Sequence, residues 1–158
     1  VAVILLVGST SSAPNVVNAA HFALSAATLP APAQSSRNKA VVTTAIDGIS
    51  FPYWDARGWQ VTGARKDSLG GHTVKTVFYS KPGYVDVGYA IASGTPLTVG
   101  RVTRVVVQHG VPFDVIHAYG AAVVTWLRDG HTCVLASRSA STSVLLSLAG
   151  STPRALAA

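Results

Sequence analysis

The sequence predicts an α+β fold: an antiparallel β meander of six to seven strands, with a short N-terminal helix and a C-terminal helix packed at the margins. Three observations predict it. Val74, Thr76 and Phe78 fall on one side of a period-2 pattern, and Val85, Val87, Tyr89 and Ile91 repeat it in the next segment, as half-buried antiparallel strands require. Turn residues separate these segments: Gly70-Gly71 is free to take positive φ, and Pro82-Gly83 suits the two central positions of a type II turn. Asp129-Gly130 lies between the apolar runs 122–127 and 132–137, a strong short-range hairpin signal.

Taken in order, the chain divides into 1–13, the truncated end of a transmembrane helix with a spacer, then 14–39, a juxtamembrane helix and linker, then 40–158, the α+β domain. Residues 1–7, VAVILLV, are uniformly apolar and stop at a Gly-Ser-Thr run. A span needs about 20 apolar residues, so only its tail would be visible. A signal-peptide remnant is the competing reading, although a basic n-region is missing and Pro14 follows the one plausible cleavage residue, Ala13. With no methionine and Val1 first, a fragment or processed product is expected. Val17, Ala20, His21 and Leu24 recur at helical spacing, with Pro14 suited to a first helical turn. Residues 28–38, rich in Pro, Ala and Ser, read as an extended linker.

Residues 40–46 form the first expected strand, ended by Asp47-Gly48. Phe51, Tyr53 and Trp54 then lead into a short helix or turn, and with Trp59 are expected to anchor a core. Residues 58–94 carry three strands. Beyond a loop at 93–100, strands are expected at 102–108 and 113–119, separated by His109-Gly110-Val111-Pro112. After the Asp129-Gly130 hairpin, Ser139 or Ser141 caps a closing helix with an apolar stripe of Val144, Leu145 and Leu148, and Gly150 with Pro153 ends it.

The balance of 49% hydrophobic to 11% charged residues excludes a disordered chain or a charged coiled coil. A net charge of +6 raises the question of nucleic acid, but the cations stand singly and only Arg65-Lys66 are adjacent. No stripe follows a phosphate backbone, so no nucleic-acid partner is expected, and anionic lipid headgroups are the simpler account of the basic surface. The single Cys133 permits neither an intrachain disulfide nor a multi-cysteine zinc site. His131 would share a strand face with Cys133, yet no third group is evident to orient the imidazole, and cysteine is commonly a small buried hydrophobe. His21, His72, His109, His117 and His131 show no metal-ligand spacing, the aspartates sit mostly at turns, and Gly70-Gly71 lacks the Lys-Ser/Thr of a phosphate loop. No catalytic, cofactor-binding or metal site is expected, and no cofactor.

The run FPYWDARGWQVTGARKDSLGGHTVKTVFYS, followed by VGYAIASGTPL, VVTWLRDGHTCVLAS and a closing VLLSLA helix, resembles the extracytoplasmic region of single-pass membrane anti-sigma factors of Gram-positive bacteria. Its more specific parts are Gly58-Trp59, the block from Gly70 to Tyr79, and Thr125-Trp126 through Gly130-His131-Thr132-Cys133. The resemblance implies a non-catalytic regulatory domain outside the cell membrane that influences release of a sigma factor. In many such families the cytoplasmic part binds zinc through His and paired Cys, from which this chain departs. The sigma factor would therefore be met only through a cytoplasmic domain absent from these residues, and the membrane through the N-terminal segment. Residues 14–39 would be the route by which the outer domain protects or exposes a cleavage site. The alternatives are a secreted or membrane-anchored module holding an apolar ligand on the curved sheet, or a small hydrolase using Cys133. Exposed edge strands could also pair with another copy of the chain.

Overall fold

The structure, a computed structural model, describes residues 13–152. The apolar run 1–7, the spacer that follows it through Ser12, and Pro153 lie outside the described residues. Helix α1 (Val16–Ala23) precedes a hairpin of β1 (Val41–Ile46) and β2 (Ile49–Pro52), and a 3-10 turn (Asp55–Arg57) leads into the main sheet. That sheet holds β3 (Gln60–Leu69), β4 (His72–Lys81), β5 (Tyr84–Ala92), β6 (Arg104–Gln108), β7 (Val111–Ala118), β8 (Ala121–Arg128) and β9 (His131–Ser137), and α2 (Thr142–Gly150) follows. Its seven strands are antiparallel in the order β3-β4-β5-β9-β8-β7-β6. The fold is α+β, as the alternating segments predict.

Two meanders meet at one seam, β5 on β9, registered from Gly88↔Ala136 to Ile91↔Cys133. Strand β6 does not follow β5 because the connection 93–103 crosses a face of the sheet, anchored by buried Leu97. Burial explains the order. All of β9 after His131 is buried, which suits the middle of a sheet, whereas Val105 and Val107 of β6 are 56% and 66% exposed, which suits a rim. The turns Asp47-Gly48, His109-Gly110, Tyr119-Gly120 and Asp129-Gly130 each hold both residues at positive φ, the mirror-type turn whose twist matches the strands it joins.

The period-2 pattern predicts one dry face per strand; the central strands are instead dry on both. On the front face, Tyr79, Tyr89, Phe113, Trp126 and Leu135 lie beneath the β1–β2 hairpin, Trp54, Trp59 and α2. On the back face, Val74, Ala90, Ile116, Val134 and Ala136 lie beneath α1 and Leu97. Alternation therefore sorts side chains between two cores rather than between core and water. Val85 is the member of its series that faces solvent, 65% exposed.

Four boundaries differ from expectation. Residues 49–52 form β2, since Asp47-Gly48 closes a hairpin rather than ending an isolated strand. The turn after β6 is His109-Gly110 alone, and Val111 and Pro112 belong to β7. Helix α1 is capped by Asn15 in a reciprocal capping box with Asn18, and it buries Val16, Ala19, Ala20 and Ala23 rather than a stripe of Val17, His21 and Leu24. Residues 28–38, expected as an extended linker, are strapped along the domain. Thr28 and Leu29 donate to the Ala64 carbonyl of β3 at 2.9 Å each, and Thr43 of β1 donates to Ala33 at 2.8 Å. That strap, the bulge between Val61 and Gly63, and the charges of Arg65, Lys66 and Asp67 guard the β3 edge.

The small residues on α1 follow from how closely it sits. A Cβ at Gly88 would collide with the carbonyl of Ala23, so β5 admits the helix only through a glycine. At its C-terminal end the helix is held by arginines: Arg138 Nη1 donates to Leu24 O at 3.1 Å, and Arg65 Nη1 to Ala26 O at 2.9 Å. A buried methyl is worth about 0.8 kcal/mol and a buried Phe or Leu about 1.5–3 kcal/mol, so the front core dominates stability and α1 is held lightly. Gly88→Ala is expected to lower the stability measured by urea unfolding by about 1–3 kcal/mol through overpacking. An unchanged midpoint would contradict the seating of α1 on β5.

Candidate functional site

The site begins with a missing hydrogen-bond donor. Strand β7 pairs with β6 up to Gln108↔Val111, but with β8 only from Asp114↔Thr125 to Ala118↔Ala121. Pro112 has no N–H to give β8, so the ladder stops short of it. Beyond that point Trp126, Leu127 and Arg128 pair with β9 alone. The two strands part, and a cavity lies on each face of the sheet where they do. Val111, Trp126 and Leu127 line both.

The front cavity has a volume of about 560 Å³. Phe113 and Trp126 give it an aromatic wall, and Gln108, His109, Arg128 and Asp129 give it polar groups. The last turn of α2, through Ala149 and Gly150, closes one side. Gln108 Nε2 donates to Leu146 O at 3.2 Å, which fixes the amide against that helix. Trp126 is held from behind by Tyr89, stacked at 5.5 Å between ring centroids, and by Phe113 at 5.4 Å. Tyr89 in turn stacks on Trp54 at 5.9 Å and meets Phe51 edge-on at 5.2 Å. Arg128 Nη1 donates to the Tyr89 hydroxyl at 2.7 Å and to Ser50 O at 3.1 Å, tying the hairpin to the cavity wall.

The back cavity is smaller, about 300 Å³, and mostly apolar. Pro96, Leu97 and Val99 of the crossing connection form one wall, and Pro112 and Leu127 another. Thr125 and Thr132 line it too, but their hydroxyls are engaged. Thr125 Oγ1 donates to Cys133 O and Thr132 Oγ1 accepts from Leu97 N, both at 2.8 Å.

His131 and Cys133 are the pair the sequence makes most tempting for nucleophilic chemistry, and the structure does not bring them together as base and nucleophile. Cys133 is fully buried on the front face, and burial pushes its thiol up to about 11. His131 has Nδ1 2.9 Å from Asp129 O and Nε2 2.9 Å from Asp47 Oδ2, so its ring joins two hairpin turns. That hydrogen bond, with a second from Gly94 N–H, holds the exposed Asp47 carboxyl below its usual range. His72 Nδ1 lies 2.6 Å from Ser93 O, His21 packs its ring 5.4 Å from Tyr119, and His117 is exposed on β7. Of the histidines, His109 reaches the front cavity. Among the described residues no three His, Cys, Asp or Glu side chains gather as a metal site would need.

The sequence predicts Trp126 in a strand and His109 in a turn, and no motif signals that both line one cavity. A proline two residues into a strand was the available signal, because it marks where one neighbour must let go. Burial of Cys133 has a direct check: a thiol-specific disulfide reagent at pH 8 is expected to leave the native chain unlabelled and to label one thiol per chain in guanidinium. Rapid labelling of the folded protein would contradict the packing described.

No protein-family model, curated protein or solved structure matches this chain.

Proposed function

We propose that the chain is a non-catalytic binding and sensor domain that holds a small apolar ligand, polar at one end, where β7 and β8 part. The observation that carries this reading is the front cavity. Its volume of about 560 Å³ falls inside the range of about 300–1,000 Å³ typical of small-molecule sites, and it joins an aromatic wall to a few polar groups. The buried thiol and the tethered imidazole favour binding over nucleophilic chemistry. The probes to use are 8-anilinonaphthalene-1-sulfonate and decanoate, followed by tryptophan fluorescence and calorimetry. Saturable binding at one site is expected, weakened at least about tenfold (1.4 kcal/mol) by Val111→Trp, which fills the space between the parted strands. Absence of saturable binding, or indifference to Val111→Trp, would sink the reading.

The setting we propose for that domain is the extracytoplasmic side of a membrane anti-sigma factor. What supports it is the resemblance through residues 14–150, together with a chain that passes from Pro14 straight into the back core rather than through a free linker. No helix among the described residues is long and apolar enough to cross a membrane. The anchor and the sigma-binding part would therefore lie outside them, and pairing with a second chain would use the exposed β6 edge. The full natural gene product is expected to fractionate with membranes and to co-purify with a sigma factor, in a manner altered by deletion of 13–152. A product that stays in the aqueous fraction without a sigma factor would refute this setting.

A further inference from the structure

The connection between β5 and β6 does two things at once. Pro96, Leu97 and Val99 form a wall of the back cavity. Thr98, between them, makes a parallel bridge with Asn15: Val16 N donates to Thr98 O at 3.0 Å, and Thr98 N donates to Pro14 O at 3.3 Å. Val16 is fully buried, and its N–H is one of the first-turn donors that no helix satisfies internally. Thr98 O supplies the acceptor. The same segment is pinned to the sheet by the Leu97 N–H on Thr132 Oγ1.

The two ends of α1 are secured differently. Its C-terminal end has Arg138 on Leu24 O, Arg65 on Ala26 O, and the close seat of Ala23 on Gly88. Its N-terminal end has the Thr98 bridge and the packing of Pro14 against Gly70 in the β3–β4 turn. Between them the helix buries little more than alanine methyls and Val16. The N-terminal end thus depends on the segment 96–99, besides its Asn15–Asn18 capping box and the buried Val16 side chain.

We infer that filling the back cavity displaces the segment 96–99 and releases the N-terminal end of α1, which pivots about its arginine-held C-terminal end. This rests on the binding reading above and extends it: the ligand held in the front cavity reaches, where β7 and β8 part, past Val111, Trp126 and Leu127, which line both cavities, into the back one. The back cavity is about 300 Å³, at the lower limit for a ligand, so an occupant that overfills it must push on its walls. Strands β8 and β9 are locked in the sheet, and the irregular wall is the one that can yield. Displacing Thr98 leaves the Val16 N–H buried without an acceptor, which favours undocking of the first turn over a distorted docked state.

Backbone hydrogen exchange on the full chain tests this, with decanoate as probe and two substitutions that need no ligand. Thr132→Val removes the Leu97 anchor, and Thr98→Pro removes one of the two bridge hydrogen bonds at an exposed position. Each is expected to lower protection of the amides of residues 16–20 at least about tenfold, which corresponds to 1.4 kcal/mol, while 133–136 in β9 keep theirs. Unchanged exchange in α1 in a folded variant overturns the inference whatever the probe does. If decanoate binds by calorimetry and α1 exchange stays the same, the inference falls and the binding reading stands. If the variants loosen α1 and decanoate does not bind, the mechanical link is supported and the binding reading falls.

Discussion

The ladder between β5 and β9 is the constraint on which the rest depends. It joins residues about fifty apart in sequence, Gly88 to Ala136, and fuses two hairpin-built meanders into one sheet. The strands at that seam have no polar side to show to water, so each face must be covered by something. The β1–β2 hairpin and α2 cover the front, and α1 with the crossing connection covers the back. The two covers differ in kind. The front is closed by interlocked aromatics whose hydroxyls are themselves used, Tyr79 on Pro52 O at 2.7 Å and Tyr89 under Arg128, and burial pushes both phenols well above their usual range. The back is closed by a short helix on glycine and alanine.

Much of the fold was legible in the sequence because its signals are local. Turn glycines, alternation and the Ser141 cap act within a few residues, and Ser141 Oγ does accept from Val144 N, at 3.3 Å. What was not legible depends on distant segments. The register of α1 is decided by Gly88, which lies sixty-five residues from Ala23, and no helical periodicity within 14–25 could reveal that Ala19 and Ala23 outrank Leu24 there. The linker composition said correctly that little would be buried. It could not say that backbone groups alone would fasten Thr28 and Leu29 to β3.

The candidate site was less legible for a related reason. Its cavities are lined from β6, β7, β8, α2 and the crossing connection, and no motif marks their meeting. The feature that opens them is an absence, the N–H that Pro112 lacks, and its effect appears only once β8 is known to lie alongside. His131 and Cys133, two residues apart in sequence and chemically suggestive, serve the architecture instead: one joins two turns and the other fills the front core.

The two rims of the sheet are not alike. At β3 a strap, a bulge and the charges of Arg65, Lys66 and Asp67 occupy the strand, while β6 presents consecutive valines with no further strand beside it among the described residues. A molecule with one unguarded rim cannot grow into a fibre by strand addition, because each joining uses up the open rim of both participants. Edge-to-edge contact between copies would therefore terminate at a pair, related by a two-fold axis midway between the two β6 strands.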